Sequence, residues 1–179
     1  LGRLVNFLDN HDLPRVRGRC RPEVVDLALT TLFASPGVPM VTWGTESGLE
    51  GAEEPDNRGD MVFASPEQRV LLTDLNRLRG ETLALRHGDL SVLSLSESSL
   101  LVVRREAESV VLLAVNLSEN SLVFDLPEEL SSVRWNGEFG SNTSIPLVVD
   151  VGSAILTTGT GPLYEPLPNE TRLVKLQIS

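Results

Sequence analysis

The sequence is poor in the residues that mark several classes of protein. It has one cysteine, Cys20, and two histidines, His11 and His87, which excludes an internal disulfide, a cysteine metal cluster and a histidine-rich zinc site. Aromatic residues make up only 4% of the chain, and no apolar run approaches the roughly 20 residues that cross a bilayer. Basic residues are outnumbered by acidic ones, 15 to 25, giving a formal net charge of −10. This charge repels a nucleic-acid duplex or an anionic membrane, so neither is expected as a partner.

What remains is the composition of a globular protein, with 41% apolar and 22% charged residues among 179. The sequence begins without Met, close to the start of a strand pattern, and shows no signal peptide. We therefore expect a piece of a longer protein, and the compartment stays open. Basic residues concentrate in one short segment, which we interpret as a solvated loop. They are Arg15, Arg17, Arg19 and Arg21.

The first half of the sequence alternates between strand and helix patterns. Apolar residues at 4–8 predict a buried strand, and Pro22 suits the first turn of a helix, where its missing N–H costs nothing. A second strand is predicted at 38–43, and a second helix after a capping box at 65–68, with Gly80 as a point of interruption. Both helices carry apolar residues at helical spacing: Val25, Leu29, Leu32 and Phe33 in the first, and Leu71, Leu75 and Leu78 in the second.

Successive parallel strands joined by helices send their outgoing loops to the same edge of the sheet. The loops at 9–20 and 44–64 are therefore expected to lie side by side. Binding and catalytic sites of parallel α/β sheets are built at that edge, so a functional site is expected there.

The second half has short strand patterns and no helix pattern, which predicts an antiparallel β-sandwich. The change of texture near Gly88 predicts two domains, residues 1–89 and 90–179. Strands are expected near 91–95, 100–104, 110–116, 121–125, 133–135, 146–151 and 172–178.

Two polar segments, residues 9–12 and residues 46–58, could supply catalytic or binding side chains. In the first, either Asp9 or Asp12 could be a catalytic or substrate-binding carboxylate and His11 could bind a sugar hydroxyl, although a plain Asx-rich loop start fits the same pattern. In the second, carboxylates could bind a metal or perform acid–base work, or could simply form a solvated acidic loop. This second set comprises Glu46, Glu50, Glu53, Glu54, Asp56 and Arg58.

Aromatic residues offer a third candidate, because Trp43 and Trp135 could be platforms for sugar stacking or could be packed in a core. Phosphate loops, dinucleotide fingerprints and a Gly-x-Ser-x-Gly nucleophile motif are absent from the sequence. Nucleotide use and serine hydrolysis therefore have no support.

Four segments of the sequence carry motifs in a fixed order: residues 6–12, 37–48, 54–58 and 85–89. Together they resemble motifs of the α-amylase family of glycoside hydrolases. Residues 6–12, Asn-Phe-Leu-Asp-Asn-His-Asp, resemble the seventh-strand region that ends in Asn-His-Asp. Residues 37–48 resemble the eighth strand, with its Gly-x-Pro, aromatic, Gly and acidic positions. Residues 54–58, Glu-Pro-Asp-Asn-Arg, resemble the Asp-Pro-x-x-Arg segment that follows, and residues 85–89 resemble the end of the eighth-helix region. In the family an all-β domain comes next, as the strand patterns predict here.

The resemblance implies a retaining glycosidase or transglycosylase acting on α-glucans or maltooligosaccharides. In that mechanism an aspartate attacks the anomeric carbon, and a glutamate serves as acid and then as base. Asp12 corresponds to a third aspartate, which stabilises the transition state, and His11 to a histidine that bonds the sugar. Glu54 and Arg58 match positions that contact adjoining sugars, so Arg58 is expected to affect KM more than kcat. Glu54 stands where the family usually has Asp.

The segments that would carry the nucleophile and the acid are not found in this sequence. We therefore expect residues 1–89 to be the last two βα units of a TIM (β/α)8 barrel, followed by the C-terminal β-sandwich. Such a chain would need the N-terminal part of the barrel as its partner and would be inactive alone. No cofactor or metal ligand is implied for these residues; calcium is common in the family, but it is usually bound by other parts. The alternative is a non-catalytic carbohydrate-binding or scaffold protein on the same fold, which the upstream residues would distinguish.

Overall fold

Two short parallel strands and four α-helices make up the described part of the first half of the chain. The computed structural model describes residues 4–62, 67–136 and 147–161. Strand β1 (Val5–Asn6) pairs in parallel with β2 (Val38–Pro39), Val5 lying opposite Val38. The helices are α1 (Val16–Arg19), α2 (Pro22–Ala34), α3 (Glu67–Glu81) and α4 (Leu83–His87). None of the helices described is both long and apolar enough to cross a membrane.

Helix α2 lies where its sequence pattern predicts it. Pro22 occupies the start of the helix, where no N–H partner is needed. The chain leaves the helix at Ser35, whose N–H still bonds the carbonyls of Thr31 and Leu32. The four predicted apolar side chains are all buried, and they pack with Val16 and Leu75 in one cluster. This cluster anchors α1 and α3 against α2 below the candidate site.

The predicted buried strand at 4–8 is corrected by the structure. Only Val5 and Asn6 form a strand, and Leu4, Val5 and Phe7 are largely exposed. Within the described residues β1 and β2 form a sheet of two strands, so each is bonded on one side and little lies over their faces. Likewise, the predicted strand at 38–43 is limited to Val38–Pro39.

Of the two predictions made for the second helix, the capping box at 65–68 is not tested and the interruption at Gly80 is wrong. Residues 63–66, which include the start of the predicted capping box, lie outside the described part of the chain. Gly80 does not interrupt α3, which continues to Glu81. A single exposed glycine costs a helix only about 1 kcal/mol, and packing of the other helical residues overrides it.

Seven strands are described in the second half of the chain, within residues 89–136 and 147–161. They are β3 (Asp89–Leu95), β4 (Ser99–Glu106), β5 (Ser109–Asn116), β6 (Leu122–Phe124), β7 (Arg134–Trp135), β8 (Leu147–Val149) and β9 (Ser153–Thr160). Five make an antiparallel sheet in the order β3-β4-β5-β9-β7, and β6 pairs with β8. Strand β9 is missing from the sequence predictions, and the strand predicted at 172–178 lies outside the described residues.

The five-stranded sheet is apolar on both faces. Alternate residues of β5 (Val110, Leu112 and Ala114) pack toward β6 and β8 in a core that also holds Trp135. The residues between them (Val111, Leu113 and Val115) pack with Ala34, Ala84 and Leu85 of the helices. Because successive side chains point to opposite faces, the continuous apolar run at 110–115 is a strand buried on both sides. The sheet is thus sandwiched between the β6–β8 pair and the helices.

Arg104 of β4 fastens this sheet to the helices. Its side chain is 2% exposed and donates to the backbone carbonyls of Ala34, Ser35, Leu85 and Gly88. Nearby Arg79 donates to the carbonyls of Phe33, Ser35 and Gly37. Both arginines therefore satisfy carbonyl groups at and beyond the end of α2, where helical partners run out.

Candidate functional site

The loops that follow β1 and β2 lie against each other, as the parallel arrangement predicts. The hydroxyl of Thr42 donates to the carbonyl of Asp9 at 2.6 Å. The amide of Asn57 donates to the carbonyls of His11 and Leu13 at 3.0 and 3.2 Å. These bonds join residues more than 30 positions apart in the sequence. The two polar segments singled out from the sequence are therefore parts of one surface.

The buried carboxylate of Asp9 connects the two loops beneath this surface. Its side chain is 2% exposed, and its carboxylate accepts the N–H of Val16 at 2.9 Å and the hydroxyl of Thr45 at 3.0 Å. An oxygen of the same carboxylate lies 3.7 Å from the guanidinium of Arg15. Asp9 thus binds the start of α1 and the turn after β2 together. Of the two aspartates left open by the sequence, Asp9 is buried and structural.

Arg15 is buried beside Asp9, which contradicts its interpretation as part of a solvated arginine loop. Its side chain is 2% exposed and also donates to the carbonyl of Trp43. Gly44 follows with a φ of +94°, and a Cβ there would come within 2.8 Å of the Arg15 guanidinium. Glycine is required at this position by both conformation and space. No single sequence pattern predicts the Asp9–Arg15 pair, which depends on the start of α1 lying against Asp9.

The four predicted site residues meet on the exposed side of the same loops. Arg58 is central: its Nη2 lies 3.2 Å from Asp12 Oδ1 and its Nη1 lies 3.0 Å from Glu54 Oε1. The Nε of Arg58 donates to the carbonyl of His11 at 3.1 Å, and His11 Nε2 lies 3.3 Å from Asp12 Oδ2. All four side chains are 45% to 70% exposed.

This arrangement suits recognition of a polyhydroxylated ligand. Asp12 and Glu54 present carboxylate oxygens, which accept hydrogen bonds, and Arg58 presents donors that are fixed between them. His11 adds an imidazole that can donate or accept. Because all four side chains face solvent, a sugar can reach them without a change in the loops beneath.

The remaining acidic side chains of the second loop do not gather into one site. The carboxylate of Glu46 accepts the N–H of Gly44 at 2.8 Å, and Glu50 lies 3.7 Å from the guanidinium of Arg17. Among the residues that the structure describes, no three His, Cys, Asp or Glu side chains are grouped to hold a metal ion. The hypothesis of paired carboxylates for a metal is thus unsupported in the described loop.

The two tryptophans have different environments. Trp135 is 7% exposed and belongs to the core between the sheets. Trp43 is 65% exposed and lies at the end of the segment after β2, beside the loops just described. Core packing therefore accounts for Trp135 and leaves Trp43 as a surface residue.

Comparison with known proteins identifies the family. No protein-family model matches the chain. A cyclomaltodextrin glucanotransferase of Geobacillus stearothermophilus is 36% identical over 121 residues, which are 65% of this chain and 17% of that protein. A solved structure of an Anoxybacillus α-amylase superposes with a TM-score of 0.79 and 29% identity, covering 92% of this chain and 39% of that one. The chain belongs to the α-amylase family. The resemblance found in its motifs is confirmed.

Other members of the α-amylase family extend the match over most of the chain. A cyclomaltodextrin glucanotransferase of Bacillus licheniformis is 27% identical over 176 residues, which are 93% of this chain and 24% of that protein. The α-amylase of Geobacillus thermoleovorans, solved with acarbose, gives a TM-score of 0.75 at 28% identity, covering 88% of this chain and 39% of that one. This chain therefore spans less than a quarter of the length of the curated relatives described here.

Proposed function

We propose that this chain is the C-terminal part of an α-amylase-type retaining glycosidase or transglycosylase that acts on α-glucans. Residues 1–89 would supply the last two βα units of its barrel, and residues 90–179 its C-terminal β-domain. The observation that supports the proposal is that Asp12, His11, Glu54 and Arg58 come together from the loops that follow two adjacent parallel strands. Family membership points to the same substrate class, since relatives are named as cyclomaltodextrin glucanotransferases and α-amylases.

In the proposed reaction Asp12 acts on the sugar at which the bond breaks. Its exposed carboxylate accepts hydrogen bonds from ring hydroxyls, and these bonds strengthen as the ring distorts toward an oxocarbenium-like transition state. His11 donates to the same sugar, and Glu54 and Arg58 contact neighbouring rings. The nucleophilic aspartate and the glutamate acid–base catalyst belong to the proposed upstream part.

Two features support a larger barrel around β1 and β2. Both strands carry exposed apolar side chains, including Val5 and Val38, each more than half exposed. A closed barrel of this type needs eight strands, and further strands would bond β1 and β2 on their other edges and cover these residues. Beside α2 lies a cavity of about 290 Å³ lined mainly by apolar side chains, among them Leu8, Val24 and Leu27. A neighbouring barrel helix would fill it.

The test uses the protein extended upstream of Leu1, assayed on maltooligosaccharides. Asp12→Asn keeps the shape of the side chain and removes its charge. We expect kcat to fall by about two orders of magnitude or more, equivalent to roughly 3 kcal/mol of lost transition-state stabilisation. Asp125→Asn, an exposed carboxylate in the β-domain, is the matched control and should leave kcat unchanged.

Three outcomes would count against the proposal. A near-normal kcat for a folded Asp12→Asn enzyme would reduce Asp12 to a loop residue. Release of reducing sugar from starch by the 179-residue chain alone would contradict its dependence on upstream carboxylates. An extended protein that binds maltooligosaccharides without turnover would favour the carbohydrate-binding or scaffold alternative.

A further inference from the structure

Asn57 is buried between two exposed neighbours in the loop that follows β2. It is 4% exposed, whereas Asp56 and Arg58 are exposed. The three residues form a single turn of 3₁₀ helix, Asp56–Arg58, in which the middle residue is the buried one. Asparagine is mostly exposed in folded proteins, and a buried amide is expected to have hydrogen-bond partners. The partners of Asn57 therefore indicate what it does.

The side-chain amide of Asn57 bonds the two residues that flank Asp12. Its Nδ2 donates to the carbonyl of His11 at 3.0 Å and to the carbonyl of Leu13 at 3.2 Å. An amide nitrogen of this kind carries two N–H donors, so one is used on each side of Asp12. The backbone before and after Asp12 is therefore bonded to the same buried side chain of the other loop.

The backbone of Asn57 is itself held in place by Gly51. Gly51 has a φ of +150°, and a Cβ there would lie 2.6 Å from both the backbone nitrogen and the Cα of Asn57. The carbonyl of Gly51 accepts the N–H of Arg15 at 2.8 Å, and the N–H of Asn57 donates to the carbonyl of Glu53 at 3.0 Å. The amide of Asn57 therefore projects from packed, hydrogen-bonded backbone, and it keeps a fixed position relative to the loop that carries Asp12.

The side-chain contacts of Asp12 do not by themselves fix its carboxylate. Asp12 lies 3.2 Å from Arg58 and 3.3 Å from His11, and all three side chains are at least 45% exposed. Exposed pairs of this kind are weak, because water competes for both partners. The position of the Asp12 carboxylate therefore depends on the backbone that carries it, which Asn57 bonds on both sides.

We propose that Asn57 is a positioning residue for Asp12. It holds the backbone at His11 and Leu13 so that the Asp12 carboxylate meets the sugar at which the bond breaks. Because Asn57 is buried, it acts through this backbone and not on the substrate. The inference rests on the proposed function for the role of Asp12, and it adds a buried residue to the four exposed ones of the candidate site.

The first test measures kcat and KM on maltooligosaccharides with the protein extended upstream of Leu1. Asn57→Ala removes both donors, and we expect kcat to fall about tenfold or more with little change in KM, since small misplacements of a catalytic group are costly. Asn57→Leu fills the same space without either donor and should give the same result. Asn76→Ala makes the same chemical change at an exposed position of α3 and should leave kcat unchanged.

A double-mutant cycle separates positioning from a simple loss of folded protein. Asn57→Ala is measured again in the Asp12→Asn background. If Asn57 acts through Asp12, its substitution should lower kcat much less once the Asp12 charge is gone, because the two residues are coupled. A loss of folded protein would lower kcat by the same factor in both backgrounds. Equal factors, or an unchanged kcat for Asn57→Ala and Asn57→Leu, would overturn the proposal.

Hydrogen exchange of the 179-residue chain tests the same hold without any activity. In Asn57→Ala we expect the backbone amides of residues 9–16 to exchange faster, while those of β4 and β5 keep their rates. Unchanged exchange at 9–16 would overturn the proposal. The result is separable from failure of the proposed function: a catalytically silent Asp12→Asn substitution would remove the enzymatic role of Asp12, whereas the exchange rates would still show whether Asn57 holds its loop.

Discussion

Arg58 lies between two carboxylates, and this position changes what its loss should do. The resemblance to the family predicts a contact with a neighbouring sugar and an effect on KM. The structure adds the 3.2 Å contact with Asp12 and the bond to the His11 carbonyl. Without these contacts the loop that carries Asp12 loses a constraint, and small misplacements of a catalytic group are costly.

We therefore predict that Arg58→Ala lowers kcat about tenfold or more and also raises KM in the upstream-extended enzyme. Glu54→Gln, which leaves the Arg58–Asp12 contact in place, should affect KM alone. The pairs around Arg58 are exposed and contribute little to stability, so the urea midpoint should hardly move. A rise in KM with an unchanged kcat would show that Arg58 acts on the sugar only.

The buried pair beneath the site should matter for stability instead. Arg15→Met leaves the Asp9 carboxylate buried without its cation, and breaking a buried pair costs about 3–5 kcal/mol. Equilibrium urea unfolding of the 179-residue chain would measure this loss. Arg19→Met, at the end of the short helix that Arg15 precedes, alters an exposed arginine and is the control. Equal midpoints for both variants would mean that Asp9 is held well enough by Val16 and Thr45.

Sequence reasoning named the exposed residues of the candidate site, but it did not predict that Asp9 and Arg15 are buried and form a structural pair. The sequence could predict four residues of the candidate site, because they fall in ordered motifs after two predicted strands and parallel topology brings such loops together. These residues are His11, Asp12, Glu54 and Arg58. The Asp9–Arg15 pair could not be predicted from the sequence, because the burial of an arginine depends on the path of the chain around it. A charge cluster looks the same in sequence whether one member is buried or all are solvated.

Among the helices and strands, those with a long and strongly apolar sequence pattern were predicted at the correct positions. Helix α2 and strands β4 and β5 are long, strongly apolar and correctly located. Strand β9 was missed because its polar threonines and Gly159 dilute the apolar signal, although the strand pairs with β5 along all eight of its residues. Its β-branched side chains, including Ile155, were the available indication. Tertiary pairing, which the sequence does not display, determines this strand.

The contact between the five-stranded sheet and the helices depends on the hydrogen bonds of Arg104. Burial, together with the Arg79 guanidinium and against the opposing effect of Asp89, lowers the pKa of Arg104 to about 10. The group therefore stays charged at neutral pH, and its charge is offset by the carbonyls around it. Since the folded-state pKa lies below the ordinary pKa of arginine, the unfolded chain binds the proton more readily at pH values between the two. Arg104 should thus make stability rise only above about pH 10, and contribute no pH dependence near neutrality.

We predict that Arg104→Met destabilises the chain by about 3 kcal/mol, because the buried carbonyls of Ala34, Leu85 and Gly88 lose this donor. Thermal and urea unfolding at pH 7 would measure the change. Arg134→Met alters an exposed arginine on β7 of the same sheet and should shift the midpoint little. If the two variants unfolded alike, water or rearranged neighbours would have to satisfy those carbonyls as well as Arg104 does.

At the scale of the whole molecule, the two faces of the five-stranded sheet differ in what covers them. Among the described residues, the core on one face is built from position 93 onward, with Phe124, Leu130, Trp135 and Leu147 at its centre. The other face packs on α2 and α4 through Ala34, Ala84 and Leu85, and Arg104 bonds the same segments. The first core can form without residues 1–89, whereas the second cannot.

We predict that a polypeptide of residues 90–179 folds cooperatively but is less stable than the full chain. The complete core on one face should give a cooperative thermal melt and keep the Trp135 emission typical of a buried indole. On the other face Val102, Val111, Leu113 and Val115 lose their cover, which should increase binding of a hydrophobic dye and lower the urea midpoint. Replacing Val111 and Leu113 by threonine should reduce dye binding in this polypeptide, while the same changes destabilise the full chain. A non-cooperative melt would instead show that the helices are needed for the sheet to form, and that the boundary near residue 89 does not separate two folding units.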